Sequence, residues 1–273
     1  MKYYNRSLDC ADDLDVEEVL TAIDLSKDGG ARDDLLGLIM FTLDRTLFGD
    51  PCTHHRSLLE SLGKDDAIIS FNWDLLVDNI VSSSNQKQPD YSIPEESLKV
   101  SLNESPSNGS LCCLPFKPKL LKLHGSMNWM DCRKCKIVNV YLLDGKTAAE
   151  WYIEHREKAC SCGSPMNPLI IAPTLLKSYK ARPFGSVWTE ATRVLAKADE
   201  IIVVGYSLPV TDLRAKWLFR ESTAGERPIH ILLFDKSPEE DKLRRWREVL
   251  HNRSIDAETG GIREAAKYLV GVR

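Results

Sequence analysis

The stretch Ala67-Ile68-Ile69-Ser70-Phe71-Asn72-Trp73-Asp74 sets a short apolar run directly against polar residues. Its length and β-branched content read as a buried strand over residues 67–71, feeding a helix over 73–81. The same pattern recurs at 120–123, which precedes His124-Gly125-Ser126, and at 201–204, which precedes Gly205-Tyr206-Ser207-Leu208-Pro209. Open α/β sheets hold their ligands at the carboxyl ends of buried strands. Three such ends bearing Asn, Asp, His, Gly and Ser predict a cleft for a phosphorylated or ribose-bearing ligand.

Around these three points the chain alternates strand and helix patterns. Helices are predicted over 13–25, 33–48, 54–63, 184–198, 239–250 and 262–270, where apolar residues recur at helical spacing. Another, carrying Leu213, Trp217 and Leu218, lies between the strands 201–204 and 229–234. Residues 169–172 read as a short extended segment. Strands separated by helices pair in parallel, because each crossover needs a helix to return. The fold class expected is therefore α/β, a Rossmann-like parallel sheet with helices on both faces and a small Cys-rich zinc-binding insert. Residues 1–126 and 168–273 form the main domain, 127–167 the insert, and the Ser-, Asn- and Pro-rich stretch 82–118 a flexible loop. Cys112 and Cys113, near the end of that loop, read as small apolar fillers.

Bulk properties narrow the function classes. The chain has 273 residues, 43% of them hydrophobic, enough for one large domain with an insert. A net charge of −4 argues against general nucleic-acid binding. The basic run Lys242-Leu243-Arg244-Arg245-Trp246-Arg247 reads as a solvated helix face. No apolar stretch approaches the roughly 20 residues that cross a bilayer, and the N-terminus lacks the apolar core of a signal peptide. The eight cysteines then belong to a reducing compartment, and a cytoplasmic location is expected.

Four of those cysteines form two tight pairs, Cys132 with Cys135 and Cys160 with Cys162, separated by about 24 residues. Two such pairs can close a tetrahedral four-thiolate Zn²⁺ site, which ties down a segment with little core of its own. Arg133, Lys134 and Lys136 would offset its negative charge. The second pair has one intervening residue rather than the usual two. Four thiolates leave no open coordination position, so the metal would be structural.

Taken one at a time, the polar strand ends have plain explanations. Asn72 and Asp74 can cap a helix, His124-Gly125 can be a turn, and Ser207 can cap the next helix. Taken together and in order, Ser70-Phe71-Asn72-Trp73-Asp74, Leu123-His124-Gly125-Ser126-Met127-Asn128-Trp129, the cysteine pairs, Ala172-Pro173-Thr174-Leu175-Leu176-Lys177-Ser178-Tyr179 and Val204-Gly205-Tyr206-Ser207-Leu208-Pro209 resemble the sirtuin-like family. The resemblance runs from about residue 15 to residue 236. It is greatest to the divergent bacterial branch associated with NAD⁺ consumption in defence against phage.

That resemblance implies cleavage of the nicotinamide–ribose bond of NAD⁺. The leaving group departs neutral and the ribose passes through an oxocarbenium-like state. Asn72 would orient the ribose and an attacking water, and His124 would be the general base. Asp74 would line the nicotinamide pocket, Gly205 would admit the dinucleotide backbone, and Ser207 would bond its phosphate or ribose. Asp235 would meet the adenine-side ribose. Family members open with a strand and a Gly-rich phosphate loop, which is not recognisable here, so weak NAD⁺ binding by this chain alone is expected. Three functions stay open: an NAD⁺ hydrolase, an NAD⁺-dependent protein deacylase, and a binding module without catalysis. Homo-oligomers or additional domains are implied partners.

Overall fold

The computed structural model describes residues 16–47, 52–82, 88–102, 116–142, 160–172, 182–225, 227–251 and 253–272. Cys112, Cys113, the string Pro173 to Tyr179 and residues 1–15 lie outside the described residues. Three helices come first: α1 (Val16–Ser26), α2 (Gly29–Leu47) and α3 (Thr53–Glu60). They lead into β1 (Ala67–Ser70), α4 (Leu76–Ser82) and, after a 3-10 turn at Glu95–Ser97, β2 (Leu98–Leu102). Four strands follow: β3 (Lys119–Lys122), β4 (Gly125–Cys132), β5 (Ile137–Leu142) and β6 (Asn167–Ile170). The chain ends as α5 (Arg182–Lys197), β7 (Glu200–Val204), α6 (Leu213–Ser222), β8 (His230–Asp235), α7 (Glu240–Val249), β9 (Asp256–Thr259) and α8 (Ile262–Val272).

The α/β class and the parallel pairing are observed. β1 pairs with β3 in parallel, Ala67 opposite Lys119 and Ser70 opposite Lys122. β7, β8 and β9 form a second parallel sheet in that order. One apolar core serves both sheets: Leu120, Leu121 and Leu123 share it with Ile201, Val203, Ile231 and Leu233. α5 closes that core, since Phe184, Val187, Trp188, Ala191 and Leu195 recur every three or four residues and all are buried.

The third sheet has four strands, in the order β2-β5-β4-β6. β4 runs antiparallel to both β5 and β6, whereas β2 pairs with β5 in parallel. β5 and most of β4 lie in the stretch 127–167 read as the insert, where the sequence pattern shows no clear strand period, whereas β2 lies outside it and β6 shares only Asn167 with it. Within the stretch 82–118, expected as a flexible loop, residues 88–102 contribute the 3-10 turn and β2. Tyr91 holds that passage in place: it is 2% exposed and packs edge-on against Trp129, with ring centroids 5.0 Å apart.

The helix expected from residue 73 starts three residues later, because the carbonyls of Trp73 and Asp74 accept from Lys122 rather than from a following turn. β9 also lacks a sequence signal. All four of its residues are exposed, and it is placed by backbone pairing to β8 and by the His230–Asp256 contact at 3.1 Å. Among the described residues, no helix is long and apolar enough to cross a membrane.

Candidate active site and cysteine cluster

The carboxyl ends of β1 and β3 lie side by side. Beyond the last rung, Ser70 opposite Lys122, the pairing continues as Leu123 N–H donates to the Ser70 carbonyl at 2.9 Å. Asn72 and His124 are thus equivalent positions, two residues past that rung on neighbouring strands. The Met127 amide then donates to the Trp73 carbonyl at 3.0 Å, fastening the two turns together. Asn72 is exposed at this mouth, and its amide N–H donates to Ser70 Oγ at 3.1 Å.

His124 is fixed from several sides. Its carbonyl accepts from Ile171 N–H at 2.8 Å, and the preceding carbonyl of Leu123 accepts from the Trp188 indole at 3.1 Å. The following Gly125 has φ +83°, and a Cβ there would stand 2.0 Å from the Leu169 carbonyl oxygen. Only glycine allows β4 to leave the histidine so close to β6. Phe71 meets the imidazole edge-to-face at 5.4 Å and stacks flat on Tyr206 at 4.0 Å. The ring nitrogen Nε2 lies 3.2 Å from Asp212 Oδ2. That carboxylate is 1% exposed, accepts from the Tyr206 hydroxyl at 2.8 Å, and caps α6 through Ala215 N–H.

Asp74 serves first as a helix cap, its Oδ1 accepting from Leu76 N–H at 3.0 Å. It also influences His55 on α3. Burial lowers the His55 pKa, and the Asp74 charge opposes that shift. His55 Nδ1 is buried with no hydrogen-bond partner among the described residues. The turn bearing Asn72 and Asp74 rests on Lys122, whose ammonium donates to the Trp73 and Asp74 carbonyls and to Asp78 Oδ2 at 3.1 Å. Tyr91 donates to the other oxygen of Asp78, and burial together with that anion raises the phenol pKa well above its ordinary value.

The third strand end supplies the turn after β7. Gly205 has φ +64°, its amide bonds to the Phe234 carbonyl at 3.0 Å, and a Cβ there would meet nothing within 4 Å. The glycine thus serves the backbone conformation and leaves open space beside it. Ser207 is half-buried, and its carbonyl accepts from Arg245. Asp235, at the end of β8, is occupied internally. Burial would raise its pKa, but the Ser237 amide and the Lys242 ammonium at 3.1 Å outweigh that and hold it low.

The four cysteines converge. All sulfurs of Cys132, Cys135, Cys160 and Cys162 lie within 4.8 Å of one another. Cys132 and Cys162 are 3.6 Å apart, and Cys135 and Cys160 are 3.8 Å apart. Thiolates each about 2.3 Å from a tetrahedral zinc ion stand about 3.8 Å from one another, so the cluster fits that metal. The one-residue second pair closes because Gly163, at φ +80°, returns its amide to the Cys160 carbonyl at 2.8 Å. Hydrogen bonding to Cys162 pushes the Cys135 thiol up to about 12, while the Ser164 hydroxyl pulls Cys162 down to about 6. Arg133, Lys134 and Lys136 are exposed around the cluster.

Sequence reading brought out the strand ends and the cysteines but missed Asp212, Lys122 with Asp78, and His55. The His54-His55 pair was visible as a titratable doublet, and Asp212 as a residue placed to cap the helix after Gly205-Tyr206-Ser207. Lys122 read as one polar residue in an apolar strand. A cavity of about 640 Å³ beside β8, β9 and α8, lined by His230, Asp256, Lys267 and Tyr268, shares no residue with the strand-end crevice.

The chain matches no family model and no curated protein sequence. Among solved structures it is similar to a Sir2 protein with a p53 peptide and NAD⁺, at 15% identity and a TM-score of 0.47, over 85% of this chain and 72% of that one. It is also similar to a Sir2 protein in complex with the inhibitor EX-527, 2′-O-acetyl-ADP-ribose and a deacetylated p53 peptide. There the identity is 15% and the TM-score 0.42, over 80% of this chain and 70% of that one.

Proposed function

We propose that this chain binds NAD⁺ and hydrolyses its nicotinamide–ribosyl bond, as a zinc-bearing, sirtuin-like enzyme of the bacterial defence type. The observation that carries the reading is the alignment of Asn72 and His124 on adjacent strand ends, beside the open turn at Gly205. Asn72, exposed at the mouth, orients the ribose and a water. The C1′–nitrogen bond breaks, nicotinamide leaves neutral, and the water oxygen adds to C1′. His124 takes the proton that this water releases. Asp74 lines the nicotinamide side while capping α4, and Ser207 faces the remainder of the dinucleotide; Asp235 would meet the adenine-side ribose only by giving up its Ser237 and Lys242 partners. Zinc on Cys132, Cys135, Cys160 and Cys162 is structural. Thiols held ready for a metal suit a reducing compartment, so a cytoplasmic site of action goes with this reading.

The test is nicotinamide release from NAD⁺, with and without an acetylated peptide, by the parent chain and by His124→Ala. Release without peptide that disappears in His124→Ala is the expected result. Release that requires the peptide would make the chain a deacylase. Absence of turnover together with absence of NAD⁺ binding would overturn the reading.

A further inference from the structure

We infer that Asp212 is the positioning residue of His124, fixing which ring nitrogen carries the proton. The inference rests on the reading of His124 as the general base. Nε2 of the imidazole lies 3.2 Å from Asp212 Oδ2, and the two side chains are 10% and 1% exposed. An ionised carboxylate only accepts hydrogen bonds, so the nitrogen facing it carries the hydrogen. The basic lone pair of the neutral ring is then on Nδ1. When that lone pair takes a proton from water, the carboxylate stabilises the imidazolium that results, a role that buried carboxylates fill behind histidine bases on unrelated folds.

The neighbours of Asp212 hold it to this task. Its Oδ1 accepts from Ala215 N–H at the start of α6, and its Oδ2 accepts from the Tyr206 hydroxyl. Tyr206 in turn stacks on Phe71, the ring that meets His124 edge-on. The carboxylate therefore cannot rotate away without breaking a cap and a phenol hydrogen bond. Asp212 comes from the turn after β7, whereas His124 comes from the turn after β3, so the pair also couples the two parallel sheets across the crevice.

The informative variant is Asp212→Asn. Asparagine caps helices as well as aspartate does, and the Tyr206 oxygen can accept from its amide, so the fold has the same supports. The Ala215 amide keeps the carbonyl oxygen of the new side chain at the Oδ1 position, which turns its NH₂ toward His124. Nε2 must then accept, and the ring proton moves to Nδ1.

Two measurements decide the matter. The first is ¹⁵N NMR of the imidazoles in the labelled full chain, with the His124 signals identified by their loss in His124→Ala. The parent should show His124 protonated at Nε2, and Asp212→Asn should show it protonated at Nδ1. The second is steady-state NAD⁺ cleavage, in which Asp212→Asn should lower kcat by about 100-fold or more with KM changed less than about threefold. A parent ring protonated at Nδ1, or an Asp212→Asn enzyme with parental kcat, overturns the inference. If His124→Ala keeps full activity, the general-base reading fails instead, and the parent tautomer alone still decides whether Asp212 fixes the ring.

Discussion

The ammonium of Lys122 lies 3.1 Å from the carboxylate of Asp78, and the two side chains are only 2% and 3% exposed. Beneath a turn that carries two candidate site residues, this pair joins β3 to α4. Lys122 also holds the Trp73 and Asp74 carbonyls, and Tyr91 completes Asp78 from the far side. A pair so deeply buried is costly to break from one side, because the remaining charge keeps only neutral hydrogen-bond partners and loses its counter-ion.

Lys122→Met should therefore destabilise the fold by about 3–5 kcal/mol in urea denaturation. The double variant Lys122→Met with Asp78→Leu should recover much of that loss, since no lone charge then remains. A single variant within about 0.5 kcal/mol of the parent would contradict the assignment.

Gly125→Ala should be among the most damaging single-methyl changes in the chain. It combines a left-handed backbone with a contact of 2.0 Å to a carbonyl oxygen. A loss of about 3 kcal/mol or more, seen as a lowered Tm, is expected. Gly205→Ala meets no atom within 4 Å and should cost less, about 1–2 kcal/mol from its φ of +64° alone.

The cysteine cluster should bind one zinc ion per chain, measured by elemental analysis after dialysis. Cys132→Ser should abolish stoichiometric zinc, because Cys132 is buried and contacts Cys162 at 3.6 Å. Chelation of the parent should raise amide exchange in β4 and β5 before it affects β7 and β8. Zinc content unchanged in Cys132→Ser would remove the metal assignment.

His230 gives a pH test away from the crevice. Its hydrogen bonds to Glu200 and then Asp256 raise its pKa above the ordinary value near 6.5. In the interval between the unfolded and folded values, the folded state keeps a proton that the unfolded chain has released. The stabilisation is thus complete below about 6.5 and is lost as pH rises through the raised folded value. The ring is 45% exposed, so the effect is screened and small. Amide exchange in β9 should quicken across that interval in the parent, and His230→Gln should remove this pH dependence. An identical pH profile in both proteins would exclude the linkage.

Much of this architecture is legible in the sequence because apolar runs and helical spacing report burial directly. β3, β7 and β8 are short runs of Ile, Leu and Val that reach the buried core, and α5 repeats its apolar face every three or four residues. β1, expected as a buried strand, is only half-buried at all four of its residues. The cysteines are legible for a different reason, since two tight thiol pairs have the spacing of a four-thiolate metal site. β9 is not legible, because Asp256, Ala257, Glu258 and Thr259 carry no apolar face and are placed by backbone pairing to β8 and the His230–Asp256 contact. Lys122, Asp78 and Asp212 are hidden for a related reason. A buried charge looks like a surface charge until its distant partner is known, and those partners are 44 and 88 residues away along the chain.

β4 begins at the residue after His124 and finishes on Cys132. One strand, irregular between Gly125 and Met130, therefore joins the imidazole to the thiolate corner. An electrophile or oxidant that attacked the sulfurs would never need to enter the crevice. Its damage would reach the histidine as slackened anchorage at the far end of that one strand.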